Sequence, residues 1–157
     1  LILQHRMKAQ PNSLGIQIIK EYGDLPLVKC YAGQLNQVFM NVISNAIDAL
    51  EQRDEARSLE EKKTSPSQIR IRTFLVEEHQ KDVPHVAIQI TDNGSGMSEV
   101  VRSRIFDPFF TTKPIGKGTG LGLSISYQIV VEKHGGIFEC NSQPDRGTEF
   151  WIEIPVN

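Results

Sequence analysis

The apolar positions along the chain change period several times, and the changes mark the elements. Ile16, Ile18 and Tyr22 alternate with Gln17 and Glu21, which predicts a strand over 16–22. The turn signal Gly23-Asp24-Leu25-Pro26 follows, and Leu27–Tyr31 reads as a short second strand. From Gln34 to about Arg53 the period lengthens. Apolar residues at 35, 38, 39, 42, 43, 46, 47, 49 and 50 cover about half of a helical wheel at roughly 100° per residue. Asn41, Asn45 and Asp48 fall on the opposite side, within an arc of about 60°.

Residues 54–67 are charged and carry Ser, Thr and Pro, so they read as a solvated helix extension or a loop. Alternation returns in Gln68–Glu77 and His85–Thr91, two further strands. The second ends in the glycine turn DNGSGM, Asp92 to Met97, and Ser98 is placed to cap a short helix. Phe106–Gly118 reads as a long loop and Gly120–His134 as a helix stopped by Gly135-Gly136. Ile137–Asn141 and Thr148–Pro155 are strands joined through the hairpin signal Pro144-Asp145-Arg146-Gly147. The order β, β, α, β, β, α, β, β predicts a mixed sheet with helices on one face.

Composition narrows the class. The 157 residues are 39% apolar and 23% charged, enough for one soluble domain that buries roughly two-thirds of its unfolded surface. A net charge of −2 gives no support to a nucleic-acid or membrane-surface role. No apolar run is long enough to span a membrane and no secretory signal is visible. The chain begins at Leu1 without an initiator Met, so a piece of a longer protein is expected. For Cys30 and Cys140 a disulfide is open, but two small buried thiols in a reducing cytosol are the reading adopted.

Glycine is the uneven residue: six of the 12 lie between Gly94 and Gly122. Glycine concentrates where backbone takes positive φ or approaches a ligand closely, so chemistry is expected there. In GKGTGLGLSI, Gly116 to Ile125, four alternating glycines lead into a helix, which aims N–H donors and the positive end of a helix dipole at one place. Lys113 and Lys117 add charge to this anion site. It is neither of two familiar phosphate loops: Lys117 is followed by Gly118, not Ser or Thr, and the alternation puts Leu where G-x-G-x-x-G needs its third Gly. The polar stripe of the first helix is either a solvated face or a set of oxygens for a cation; Mg2+ needs only one or two such groups when phosphates supply the rest. Asp92 at a strand end is either an ordinary turn residue or a carboxylate for the exocyclic amine of a base. The three Phe of FDPFFTTK, Phe106 to Lys113, either anchor that loop on the core or form a docking surface.

Taken in order, these segments resemble the Bergerat-fold ATP-binding superfamily of gyrase, the heat-shock chaperone ATPases, mismatch-repair ATPases and sensor histidine kinases. NVISNAIDAL resembles the N box, DNGSGM the first glycine box, FDPFF the F box typical of histidine kinases and GKGTGLGLSI the second glycine box. Gly147-Thr148 resembles the closing Gly-Thr element, and the likeness runs from about Gln34 to Pro155. It implies an α+β fold: a two-layer sandwich, mostly antiparallel, with a flexible ATP lid over Phe106–Thr119. It implies that Asn45 ligates Mg2+, with Asn41 one turn earlier assisting at the phosphates. Asp92 would take the adenine amine, with Gly94, Gly96 and Met97 near the base and Thr148 assisting. Gly118, Thr119, Gly120, Leu121 and Gly122 would surround the phosphates.

Two positions separate the branches of that family. Gyrase-type relatives carry a hydrolytic Glu where this chain has Asn41, and an amide is no base at neutral pH. Many histidine kinases carry a basic residue three positions after the Mg2+ Asn; here it is Asp48, so Lys113 or Lys117 is expected to supply the charge. None of His5, His79, His85 and His134 is followed by the acidic residue of an H box. The expected protein is therefore the catalytic ATP-binding domain, residues 1–157, of a cytoplasmic histidine kinase. It would phosphorylate a histidine on a separate upstream dimerisation domain and serve a response regulator. The fragment is expected to be monomeric, without nucleic acid or direct membrane contact, within a homodimeric parent. A hydrolysing ATPase, a serine-directed kinase of the same superfamily and a nucleotide-binding docking module are the alternatives.

Overall fold

A computed structural model describes residues 15–77, 83–113 and 120–156. The strands are β1 (Gln17–Tyr22), β2 (Gln68–Val76), β3 (His85–Asp92), β4 (Ile137–Gln143) and β5 (Gly147–Pro155). They form one sheet in the order β1-β2-β3-β5-β4, with β1 parallel to β2 and the other pairs antiparallel. Helix α1 (Ala32–Glu55) buries Leu35, Val38, Val42, Ala46, Ile47 and Leu50 against the sheet, the apolar face that the periodicity predicts. Helix α4 (Gly122–Tyr127) continues as a π-wound turn over Gln128–Lys133 and adds Ile129 and Val130 to the same layer. From the sheet come Ile69, Val86, Ile88, Ile90, Phe138, Phe150, Ile152 and Ile154. These alternate along their strands, so the core lies between one sheet face and the helices.

Two short helices carry their own caps. In α2 (Leu59–Thr64) the Ser58 hydroxyl accepts from the Glu61 amide at 3.1 Å, and in α3 (Glu99–Arg102) Ser98 accepts from the Val101 amide at 3.2 Å. Among the described residues no helix is long and apolar enough to cross a membrane.

Three expectations are corrected. Leu27–Tyr31 is not a strand: Leu27 is 99% exposed, only Val28 of its apolar residues packs on the core, and the Tyr31 amide donates to His134 Nε2 at 3.1 Å instead of joining a ladder. Cys30, in that segment, is exposed while Cys140 is buried, and both are free thiols. The helix expected from Gly120 begins at Gly122 and changes winding at Gln128. The expectations for His5, His79 and Gly116–Thr119 fall outside the described residues.

Candidate functional site

The candidate residues form two clusters, one at the end of β3 beside Ala49 of α1 and one along α1 itself. At the first, β3 runs one residue further than its alternation predicts and ends on Asp92, in register with Thr148 of β5. Asp92 is 4% exposed, on the helix side of the sheet with Ile88 and Ile90. Its Oδ1 accepts from the Gly94 amide at 2.8 Å. Burial pushes its carboxyl up to about 6, against the opposing pull of the Gly94 and Thr148 amides. A carboxyl held on this balance, with one oxygen engaged and little water, is ready to accept from an N–H donor of a ligand.

The surrounding turn is welded to its neighbours. Gly96 has φ 69°, and a Cβ there would meet the Gln143 carbonyl; Gly147 has φ 84°, and a Cβ there would meet the Asp92 carbonyl. A Cβ on Gly94 would lie 2.9 Å from the Ala49 carbonyl carbon of α1. The protein's own packing thus accounts for all three glycines. Ser142, which motif reading missed, ties the cluster together. Its hydroxyl accepts from the Met97 amide at 2.8 Å, donates to the Gly147 carbonyl at 3.0 Å and lies 2.8 Å from Thr148 Oγ1. Its signal was a polar residue on a strand face otherwise set by Phe138 and Cys140. Asn93 was also missed: Oδ1 accepts from the Gln68 amide and Nδ2 donates to the Pro66 carbonyl. Arg53, from the last turn of α1, donates to the Asn93 carbonyl at 2.7 Å and to Ser65 Oγ at 2.8 Å.

The second cluster is the polar stripe of α1. Asn41, Asn45 and Asp48 are all half-buried, which removes the freely solvated alternative. Asn41 Nδ2 donates to the Gly122 carbonyl and to Ser126 Oγ, each at 3.0 Å. Asn45 has no hydrogen-bond partner among the described residues, although it is half-buried. Asp48 pairs with Lys113, so the acidic residue and one of the two expected lysines meet. Lys117, Gly118 and Thr119 lie outside the described residues. Gly120 has φ 71°, and a Cβ there would collide with the Phe109 backbone, so Gly120, just past the expected lid, packs closely on Phe109. The three Phe divide between the two readings: Phe106 packs on Phe138 at 5.0 Å between ring centroids and Phe110 joins the core margin, while Phe109 is 74% exposed at φ 66°.

The donor set fits Mg2+: hard, neutral or anionic oxygens, few in number, which suffice where phosphates complete the shell. A half-buried Asn45 side-chain amide without a hydrogen-bond partner among the described residues is the specific observation in favour.

A buried strand-end carboxylate, an amide-bearing helix and a glycine-rich sequence before a second helix are the parts that the resemblance assigns to an ATP-binding site. The chain belongs to the family of histidine kinase-, DNA gyrase B- and HSP90-like ATPases, whose model matches residues 31–157. Its relatives are sensor kinases. It is 38% identical over 141 residues to sensor kinase CckA of Brucella abortus (strain 2308), covering 84% of this chain and 13% of that protein. It is 33% identical over 159 residues to the sensory histidine kinase/phosphatase NtrB of Rhizobium leguminosarum bv. phaseoli, covering 99% of this chain and 40% of that protein. The chain thus spans less than half the length of these relatives. Among solved structures it is similar to the nucleotide-free catalytic domain of histidine kinase ThkA, with a TM-score of 0.67 and 27% identity over 99% of this chain and 84% of that one. The mixed α/β fold is that of histidine kinase catalytic domains.

Proposed function

We propose that residues 1–157 form a single catalytic domain that binds Mg2+-ATP and delivers its γ-phosphoryl group to a histidine on a separate dimerisation domain upstream in the same protein. In this reading Asp92 accepts from the adenine amine, with Thr148 and the Gly94–Met97 turn around the base. Asn45 ligates Mg2+, and Lys113, held by Asp48, brings a cation to the phosphate end together with Lys117. Gly118 to Gly122 wrap the phosphates. Bound Mg2+ would neutralise charge on the phosphates as the Pβ–O–Pγ bridge breaks. The acceptor imidazole nitrogen forms the new N–P bond, ADP leaves with the bond's electron pair, and the imidazole proton passes to a base of the acceptor domain or to water. The protein's contribution is orientation and electrostatics. The phosphorylated histidine then serves a response regulator, the domain is the cytoplasmic part of a homodimeric parent, and the isolated chain is monomeric.

The observation that carries a kinase over a hydrolase is Asn41. A carboxamide has no basic lone pair at neutral pH, and its nitrogen faces the Gly122 carbonyl and Ser126 Oγ, so it does not activate water. Incubation with γ-labelled ATP, with and without a histidine-bearing dimerisation domain from a relative, tests the reading. Label on histidine is expected. Phosphate release without acceptor would instead support the ATPase, and binding with neither outcome a docking module.

A further inference from the structure

The contact between α1 and α4 is polar at its centre. Asn41 Nδ2 lies 3.0 Å from both the Gly122 carbonyl and Ser126 Oγ, and Ser126 Oγ donates to the same carbonyl at 2.8 Å. Ser126 is fully buried. A hydroxyl without water must be satisfied inside the protein, and here the backbone carbonyl one turn back takes its proton while its oxygen takes one from Asn41. An apolar side chain would fill this place without that constraint.

The arrangement decides which end of Asn41 is available. The Asn41 nitrogen has two acceptors here, the Gly122 carbonyl and Ser126 Oγ, close enough together for one N–H to serve both. The Gly122 carbonyl can only accept, so the amide orientation is fixed: nitrogen toward α4, with Oδ1 on the other branch of the amide. An oxygen repels phosphate oxygens but suits a cation or a water bound to one. From this geometry we infer that Ser126 is a positioning residue, which with the Gly122 carbonyl holds Asn41 so that Oδ1 serves Mg2+ or a Mg2+-bound water beside Asn45. This revises the phosphate-assisting part expected for Asn41, and it rests on the nucleotide site proposed above.

Calorimetric titration of the chain with ADP, in EDTA and in Mg2+, separates the possibilities. Ser126→Ala should leave metal-free ADP affinity unchanged and cut the gain that Mg2+ confers by about 10-fold, the scale of losing a residue that orients a metal ligand. Ser126→Thr, which keeps the hydroxyl, should restore the gain. In an Asn41→Ala background Ser126→Ala should have no further effect on it. An unchanged Mg2+ gain in Ser126→Ala, or equal losses with and without metal, would overturn the inference. Wild-type chain that binds no ADP in either condition would remove the nucleotide site itself, a distinct failure. A measurement on the unaltered chain covers variants that do not fold: the Asn41 side-chain amide protons should stay protected from solvent exchange before and after Mg2+-ADP is added. Loss of protection on binding would show the nitrogen turning to phosphate and would sink the inference.

Discussion

The two ends of the site are built differently. The end proposed for adenine is made by the sheet: Asp92 ends β3, Thr148 stands opposite it near the start of β5, and Gly94, Gly96 and Gly147 allow backbone to touch its neighbours. Arg53 and Asn93 brace it from outside. The end proposed for the phosphates is made by side chains reaching out from α1: Asn41 to Gly122 and Ser126, and Asp48 to Lys113. A cluster set by strand register admits few alternatives, whereas a partly exposed ion pair such as Asp48–Lys113 can be rearranged by a ligand at small cost. Recognition by the rigid end and chemistry at the adaptable end is the division this predicts.

The largest effect is expected at Asp92. In Asp92→Asn, Oδ1 can still accept from Gly94, but an NH2 then faces the adenine amine, donor against donor. ADP affinity measured by calorimetry should fall about 100- to 1,000-fold. The same variant separates binding from stability. Burial raises the Asp92 carboxyl from an ordinary 3.8 to about 6, so between those values the folded chain holds a proton that the unfolded chain has released. Wild-type stability therefore falls as pH rises through that window, while the variant lacks this loss. Denaturation curves should show the variant gaining on wild type by about 2–3 kcal/mol from about pH 4 to pH 7. Protonation of Asp92 should likewise weaken wild-type ADP binding below about pH 6.

Next comes the weld. Gly147→Ala forces a side chain into positive φ and against the Asp92 carbonyl, and should cost about 2–4 kcal/mol in urea unfolding. Gly122→Ala, at the phosphate end, meets Asn41 only at van der Waals distance, 3.6 Å or more, and should cost no more than about 1 kcal/mol. Equal costs would erase the contrast between the two ends. Asn45→Ala should leave metal-free ADP binding intact and reduce the Mg2+ gain at least about 10-fold. The smallest effect is expected at the Asp48–Lys113 pair, about one-third exposed on each side. Lys113→Ala should weaken ADP binding only a few-fold, about 1 kcal/mol or less, with no change in the pH profile set by Asp92.

The sequence made the frame readable because burial on one face enforces period: the apolar positions of α1 and the alternation of β2 to β5 recur in the core. Leu27–Tyr31 failed because a short apolar run has no period long enough to distinguish a strand from a segment crossing to α1. Helix α2 had a usable signal, Ser58 with Glu61, overlooked among charged neighbours. The glycines were located by motif, but what each touches follows from strand register, which no spacing reveals. Ser126, Ser142 and Asn93 were beyond motif reading for a related reason: their partners lie 85, 45 and 25 residues away in the chain.

The most direct test of adenine recognition by Asp92 is a pair of titrations of the wild-type chain, one with Mg2+-ADP and one with Mg2+-GDP. Adenine offers an amine to the carboxylate where guanine offers a carbonyl oxygen. ADP should bind at least about 100-fold more tightly. Equal affinities would mean that Asp92 does not read the base.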